Sequence, residues 1–155
     1  MLNDEAKMLK RVPLFAGLTP AKLKLLAFTS ERVVWRAGEV LFRQGDPGDA
    51  AYVILSGRAA VLAESDKGPI HVADIEDNAI VGEIAILCGA PRSATVQAST
   101  AVEALRIGKD EFLKLLTDFP EMTIEVVRVL AERLSRTTAE LTEARARIRA
   151  AGEPV

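Results

Sequence analysis

At 155 residues, 49% of them hydrophobic and 27% charged, the chain can bury one core without staples and has an ordinary globular balance. A formal net charge of −2 gives no bulk electrostatic reason to expect nucleic acid or an anionic membrane as partner. The single cysteine, Cys88, excludes an intrachain disulfide, and neither a membrane span nor a signal peptide is legible, so a soluble, cytoplasmic protein is expected.

One domain over residues 1–155 is expected, in three sections of different rhythm. From Leu2 to about Ser30 the apolar residues recur at helical spacing, interrupted by Val12-Pro13-Leu14-Phe15-Ala16-Gly17-Leu18. Thr19-Pro20 reads as a helix start, a hydroxyl N-cap followed by proline at the first position, with Leu23, Leu26 and Ala27 on the inner face.

From 31 to 108 short β-type runs alternate with turn residues. The expected strands are Arg32–Arg36, Val40–Arg43, Ala51–Ser56, Arg58–Glu64, Ile70–Ile75, Thr95–Ser99 and Val102–Ile107. Glycine-bearing turns such as Gly45-Asp46-Pro47-Gly48 and Ser56-Gly57 separate them. Such a series predicts a mainly β fold, a sandwich, jelly roll or small barrel with flanking helices.

From Lys109 the helical rhythm returns, as a short helix ending near Pro120 and a long one to about Ala150. In the long helix Val127, Leu130, Leu134, Thr137, Leu141, Ala144 and Ile148 alternate spacings of three and four. That heptad seam predicts a homodimer through helix 121–150; the alternative is an amphipathic helix packed on its own domain. Residues Ala151–Val155 carry no structural signal.

The chemistry concentrates in 80–96. Gly82 permits close backbone approach, and Glu83–Leu87 suit one helical turn whose first N–H groups lack intrahelical partners. A turn at Gly89-Ala90-Pro91 brings Arg92 back toward that helix start, where its planar fork matches two phosphate oxygens. The hydroxyl of Ser93 adds a donor, and Glu83 is an acceptor for a ribose hydroxyl. Together these make a sugar-phosphate site. On composition alone, an ordinary turn with a solvated Arg92 and a Glu83 paired to a lysine accounts for the same residues.

Gly82-Glu83-Ile84-Ala85 followed by Pro91-Arg92-Ser93-Ala94-Thr95-Val96 resembles the phosphate-binding cassette of the cyclic-nucleotide-binding domain family. Gly45–Val61 is similar to the early barrel signature of that family, and Leu14–Leu18 to its N-terminal helical segment. The resemblance implies a β-roll or jelly-roll barrel, with Arg92 and Ser93 on the cyclic phosphate and Glu83 on the ribose 2′-hydroxyl. Backbone amides near Gly82, Ile84, Ala85 and Ala94 would complete the cradle. Asn78-Ala79 stands where the family usually has Gly-Asp, so a changed turn is expected there without loss of the pocket.

Ala131–Thr138 resembles the long helix of the cyclic AMP receptor protein, where adjacent hydroxyl residues cap the adenine across the dimer. Thr137 and Thr138 fall on those positions; Thr137 equally suits a role in setting seam register. Arg133 is a further cap or phosphate-side partner. Ser93 in place of threonine favours cyclic AMP in this family without excluding cyclic GMP. The implied mechanism is a population shift in which ligand closes the long helix over the pocket. Because the chain stops at Val155, no following DNA-reading domain is expected, and the output is an unknown effector protein. Arg145, Arg147 and Arg149 suit the dipole-favourable end of a helix.

Two competing classes remain. A cupin-type enzyme would need a cluster of metal ligands, and His71 is the only histidine. Cys88 is expected as a buried small apolar residue rather than a nucleophile. No enzyme activity, metal or cofactor is therefore expected. A helix-mediated interaction module on the same barrel is the other alternative, against which Glu83 and Arg92 together argue.

Overall fold

The structure, a computed structural model, describes residues 2–152. Helix α1 (Leu2–Lys10) leads through a single 3-10 turn at Pro13–Phe15 to α2 (Pro20–Thr29). The Thr19 hydroxyl accepts from the Lys22 amide at 3.3 Å, so α2 starts where its capping residues put it.

Eight strands follow, all paired antiparallel in two four-stranded sheets. The first sheet has the order β1 (Glu31–Trp35), β8 (Val102–Gly108), β3 (Ala50–Ser56), β6 (Ile80–Val81). The second has the order β2 (Val40–Phe42), β7 (Thr95–Ala98), β4 (Ala59–Ala63), β5 (Ile70–Ile75). The chain passes between sheets repeatedly, giving a β-roll. It is not a closed barrel: among the described residues no hydrogen-bonded ladder joins the two sheets, which keep β1, β6, β2 and β5 as edges. The two-residue β6, absent from the expected strands, is too short to carry a period.

β3 shows how one run of residues holds two cores. Ala51, Val53 and Leu55 face a helical cluster containing Leu9, Phe15, Leu26 and Phe112, while Ala50, Tyr52 and Ile54 face a cluster shared with the second sheet. A strand covered on both faces needs a continuous apolar run, which Ala50–Leu55 supplies. β8 divides likewise, with Leu105 and Ile107 toward the helices and Val102 and Ala104 toward the second sheet.

The chain ends in α4 (Lys109–Asp118) and α5 (Pro120–Ala150), the latter with proline in its first turn. Only Met122 and Val126 of α5 are buried, against the helical cluster. From residue 131 onward every described residue is exposed. Of the seam, Val127, Leu134, Leu141 and Ile148 stand in solvent, and Leu130 alone packs partly on the domain. Of the expected signal-free tail, 153–155 lie outside the described residues.

Candidate functional site

β6 ends at Val81, and Gly82 after it takes a left-handed conformation (φ 90) and caps the start of α3 (Glu83–Cys88). Glycine is required there twice over. The dihedral disfavours any side chain, and a Cβ would lie 2.6 Å from Arg92 Nη1. At the other end Gly89 is also left-handed (φ 60), its N–H reaching back to Ile86. The chain then turns through Ala90-Pro91 and returns to the helix start, as the sequence predicts.

Arg92 is the hinge of the arrangement. Its backbone is clasped by the Gly45–Asp49 loop: Gly45 N–H donates to Arg92 O at 2.9 Å and Arg92 N–H to Asp46 O at 2.8 Å. Gly48 lets this loop press on α3, since a Cβ at that position would lie 2.5 Å from Ala85 Cβ. Arg92 is 3% exposed, its side chain donating from Nη1 to Gly82 O (2.7 Å) and from Nη2 to Ala50 O (2.6 Å). Asp49 is its nearest carboxylate, at 3.5 Å, and is shared with Arg106 at 3.3 Å. The guanidinium lies over the Phe42 ring, 4.1 Å from its centroid.

Burial pushes the Arg92 guanidinium below its ordinary pKa, and Tyr52, Asp49, Asp46 and Glu83 pull it back up. An arginine so placed stays a cation. Three of its five donors have acceptors, and the buried Nε–H has none.

Glu83, 4% exposed, is the acidic counterpart. Its Oε1 accepts from Nη1 of Arg133 at 3.1 Å, an ion pair that ties α5 to α3, while Oε2 is buried without a partner. A lysine partner for Glu83 and a solvated Arg92 are thus both replaced by a buried site.

Glu83 and Arg92 border one cavity of about 690 Å³. Gly82, Ile84, Ala85, Ser93 and Ala94 form its inner wall, with Phe42, Val61 and β5 residues from Val72 to Ile75 on the sheet side. Arg133, Arg136, Thr137 and Glu140 of α5 close it from outside. The structure therefore brings together every expected site residue except Thr138, which lies outside these walls and whose carbonyl accepts from the Thr142 hydroxyl at 2.9 Å. Asn78, in the segment where a changed turn is expected, adopts φ 66 and exchanges hydrogen bonds with β3 through its own N–H and Ala79 O. Asparagine tolerates that dihedral, and the cavity is intact. Cys88 is exposed at the end of α3 rather than buried; the residues of α3 that are buried are Glu83, Ala85 and Ile86.

Phe42, the β5 residues, Arg136 and Glu140 had no sequence signal beyond their spacing, since tertiary packing alone brings them to the cavity. Asp49 had one, as the second acid of Gly-Asp-Pro-Gly-Asp. Chemically, a buried cation with unfilled donors suits an anion, and a buried carboxylate with an unfilled oxygen suits a hydroxyl donor. A molecule carrying a phosphate and a nearby hydroxyl satisfies both.

The family model described as the cyclic nucleotide-binding domain matches residues 32–119. The CRP-like cAMP-activated global transcriptional regulator of Mycobacterium tuberculosis is 29% identical over 138 residues, 88% of this chain and 62% of that protein. Acetyltransferase Pat of Mycolicibacterium smegmatis is 40% identical over 121 residues, 78% of this chain and 36% of that one. The catabolite activator protein structure from Thermus thermophilus superposes with a TM-score of 0.76 at 28% identity, over 85% of this chain and 62% of that one. The chain thus spans less than two thirds of each. No helix among the described residues is long and apolar enough to cross a membrane. The matched span runs from β1 through α4 and contains the whole inner wall of the cavity, and this chain belongs to the cyclic nucleotide-binding domain family.

Proposed function

We propose that the domain is a cyclic AMP sensor of the cytoplasm, with no catalytic chemistry and no cofactor. Arg92 and Ser93 take the cyclic phosphate, Glu83 accepts from the ribose 2′-hydroxyl, and backbone amides near Gly82, Ile84, Ala85 and Ala94 complete the cradle. The observation that carries this reading is the Arg92 guanidinium, buried at the cavity wall with an unfilled Nε–H and no carboxylate closer than 3.5 Å. Cyclic AMP, rather than another sugar phosphate, is supported by the relative named as cAMP-activated.

Ligand bridging the cassette and Arg133 shifts α5 toward the cavity, which lies between them. The apolar seam from Val127 to Ile148 supports a homodimer through helix 121–150, in which Thr138 reaches the cavity of the partner copy. A dimer so closed signals to an effector protein. The module alternative, dimerising without nucleotide, is tested by the same experiment.

Calorimetric titration of nucleotide-stripped protein with cyclic AMP is expected to give saturable binding. Affinity should fall about 100-fold or more in Arg92→Ala, the loss for truncating one partner of a buried charge contact. Arg92→Lys keeps the charge and loses the fork, so it separates recognition from folding. Folded wild-type protein that binds no cyclic nucleotide would leave the helix-mediated module as the better account.

A further inference from the structure

The buried Arg92 guanidinium poses a problem that its polar neighbours do not solve. Burial is the largest influence on it and works against its charge. A carboxylate pressed onto the fork would offset that cost, but it would also neutralise the cation and occupy the donors that an anion needs. The nearest carboxylate, Asp49, lies 3.5 Å away, is 66% exposed, and is shared with Arg106.

The Phe42 ring supplies what Asp49 does not. The guanidinium carbon lies 4.1 Å from the ring centroid, within the distance at which the negative face of an aromatic ring attracts a cation. That face takes up no in-plane donor. Nη1 and Nη2 keep their bonds to Gly82 O and Ala50 O, and the Nε–H stays unfilled.

β2 is built to present this ring. Val40 pairs with Gln97 and Phe42 with Val96, so Leu41 is an extra residue, a bulge in the ladder to β7. A bulge bends its strand and re-aims a neighbouring side chain. Leu41 is buried in the core shared by the sheets, while Phe42 is half-buried at the cavity wall. Its ring packs so close to the cassette that a Cβ on Gly82 would lie 3.4 Å from Phe42 Cε2. Tyr52 steadies it, stacked with 6.1 Å between centroids and 24° between planes, and Trp35 meets Tyr52 edge-on at 5.5 Å.

Resting on the cyclic-nucleotide reading above, we infer that Phe42 is a positioning residue for phosphate capture: its π face holds the buried Arg92 cation and leaves the guanidinium donors open to the ligand. Phe42 acts on the nucleotide through Arg92. Its effect therefore depends on the charge distribution of the ring and not on bulk alone.

The test is calorimetric titration of the full, nucleotide-stripped chain with cyclic AMP. Wild type is compared with 4-fluorophenylalanine or pentafluorophenylalanine at position 42, and with Phe42→Leu. Fluorine withdraws electron density from the ring face in steps while nearly keeping its shape. Affinity should fall in the same steps, reaching about tenfold in the pentafluoro variant and a similar loss in Phe42→Leu. Wild-type affinity in the pentafluoro variant overturns the inference, even if Phe42→Leu binds weakly, because bulk alone would then matter. The fluorinated variants also keep the test decisive if Phe42→Leu does not fold. A second readout needs no ligand: the Arg92 Nε–H proton resonance should lose its aromatic ring-current shift in Phe42→Leu, and an unmoved resonance overturns the stacking. Wild-type protein that binds no cyclic AMP would instead defeat the cyclic-nucleotide reading itself, and with it the role of Phe42 in capture.

Discussion

The two ends of the cavity are built to opposite specifications. At the cassette end Glu83 and Arg92 are buried, and Arg92 is fixed by two backbone carbonyls and a clasped main chain. At the other end Arg133, Arg136, Thr137 and Glu140 stand on an exposed stretch of α5, and only Arg133 is tied back to the domain. A buried group in a fixed geometry loses little freedom when ligand arrives, which favours affinity. An exposed helix held by one ion pair can move at little cost, which favours response. On the proposed function, capture and signalling fall to different parts of one pocket.

That contrast is broken most severely at Gly82. Gly82→Ala forces a side chain into φ 90 and against Arg92 Nη1. It should weaken nucleotide binding at least tenfold and cost about 1–3 kcal/mol of stability, read by titration and by denaturant unfolding. A neutral outcome would mean that the cassette end is not rigid. The exposed end should respond differently. Leu134, 68% exposed, and Leu141, 50% exposed, support nothing within one chain. Leu134→Glu with Leu141→Glu should convert a dimer to a monomer in sedimentation while leaving the melting temperature of the domain nearly unchanged.

Smallest in binding energy is the link between the ends. The Glu83–Arg133 pair is half exposed on the arginine side but buried on the glutamate side, so Arg133→Ala leaves a buried carboxylate without its partner and should cost about 1–3 kcal/mol of stability. Its effect should appear also as faster amide hydrogen exchange in α5 around residue 133 and a loss of the ligand-dependent change there. Equal exchange in the variant and wild type would show that α5 is held by Met122 and Val126 alone.

The cassette was legible because it is local: Gly82, Glu83, Arg92 and Ser93 lie within twelve positions, and the short helix and turn between them follow from glycine and proline chemistry. The strands were legible where runs are long, as at Ala50–Ser56, and invisible at Ile80–Val81. The outer wall was not readable as a site. Val72 looks like any strand residue and Arg136 like any helix surface charge until β5 and α5 meet across the cavity. Two sheets instead of a closed barrel is likewise a matter of which strands pair, which period-2 patterning leaves open.

The most direct test of the account is amide chemical-shift mapping by NMR as cyclic AMP is added to nucleotide-stripped protein. The largest changes should fall at Gly82–Ala85 and Arg92–Ala94, with a second group between Arg133 and Glu140 on α5. Changes confined to other surfaces, or none at saturating nucleotide, would contradict the claim that this cavity joins ligand capture to the long helix.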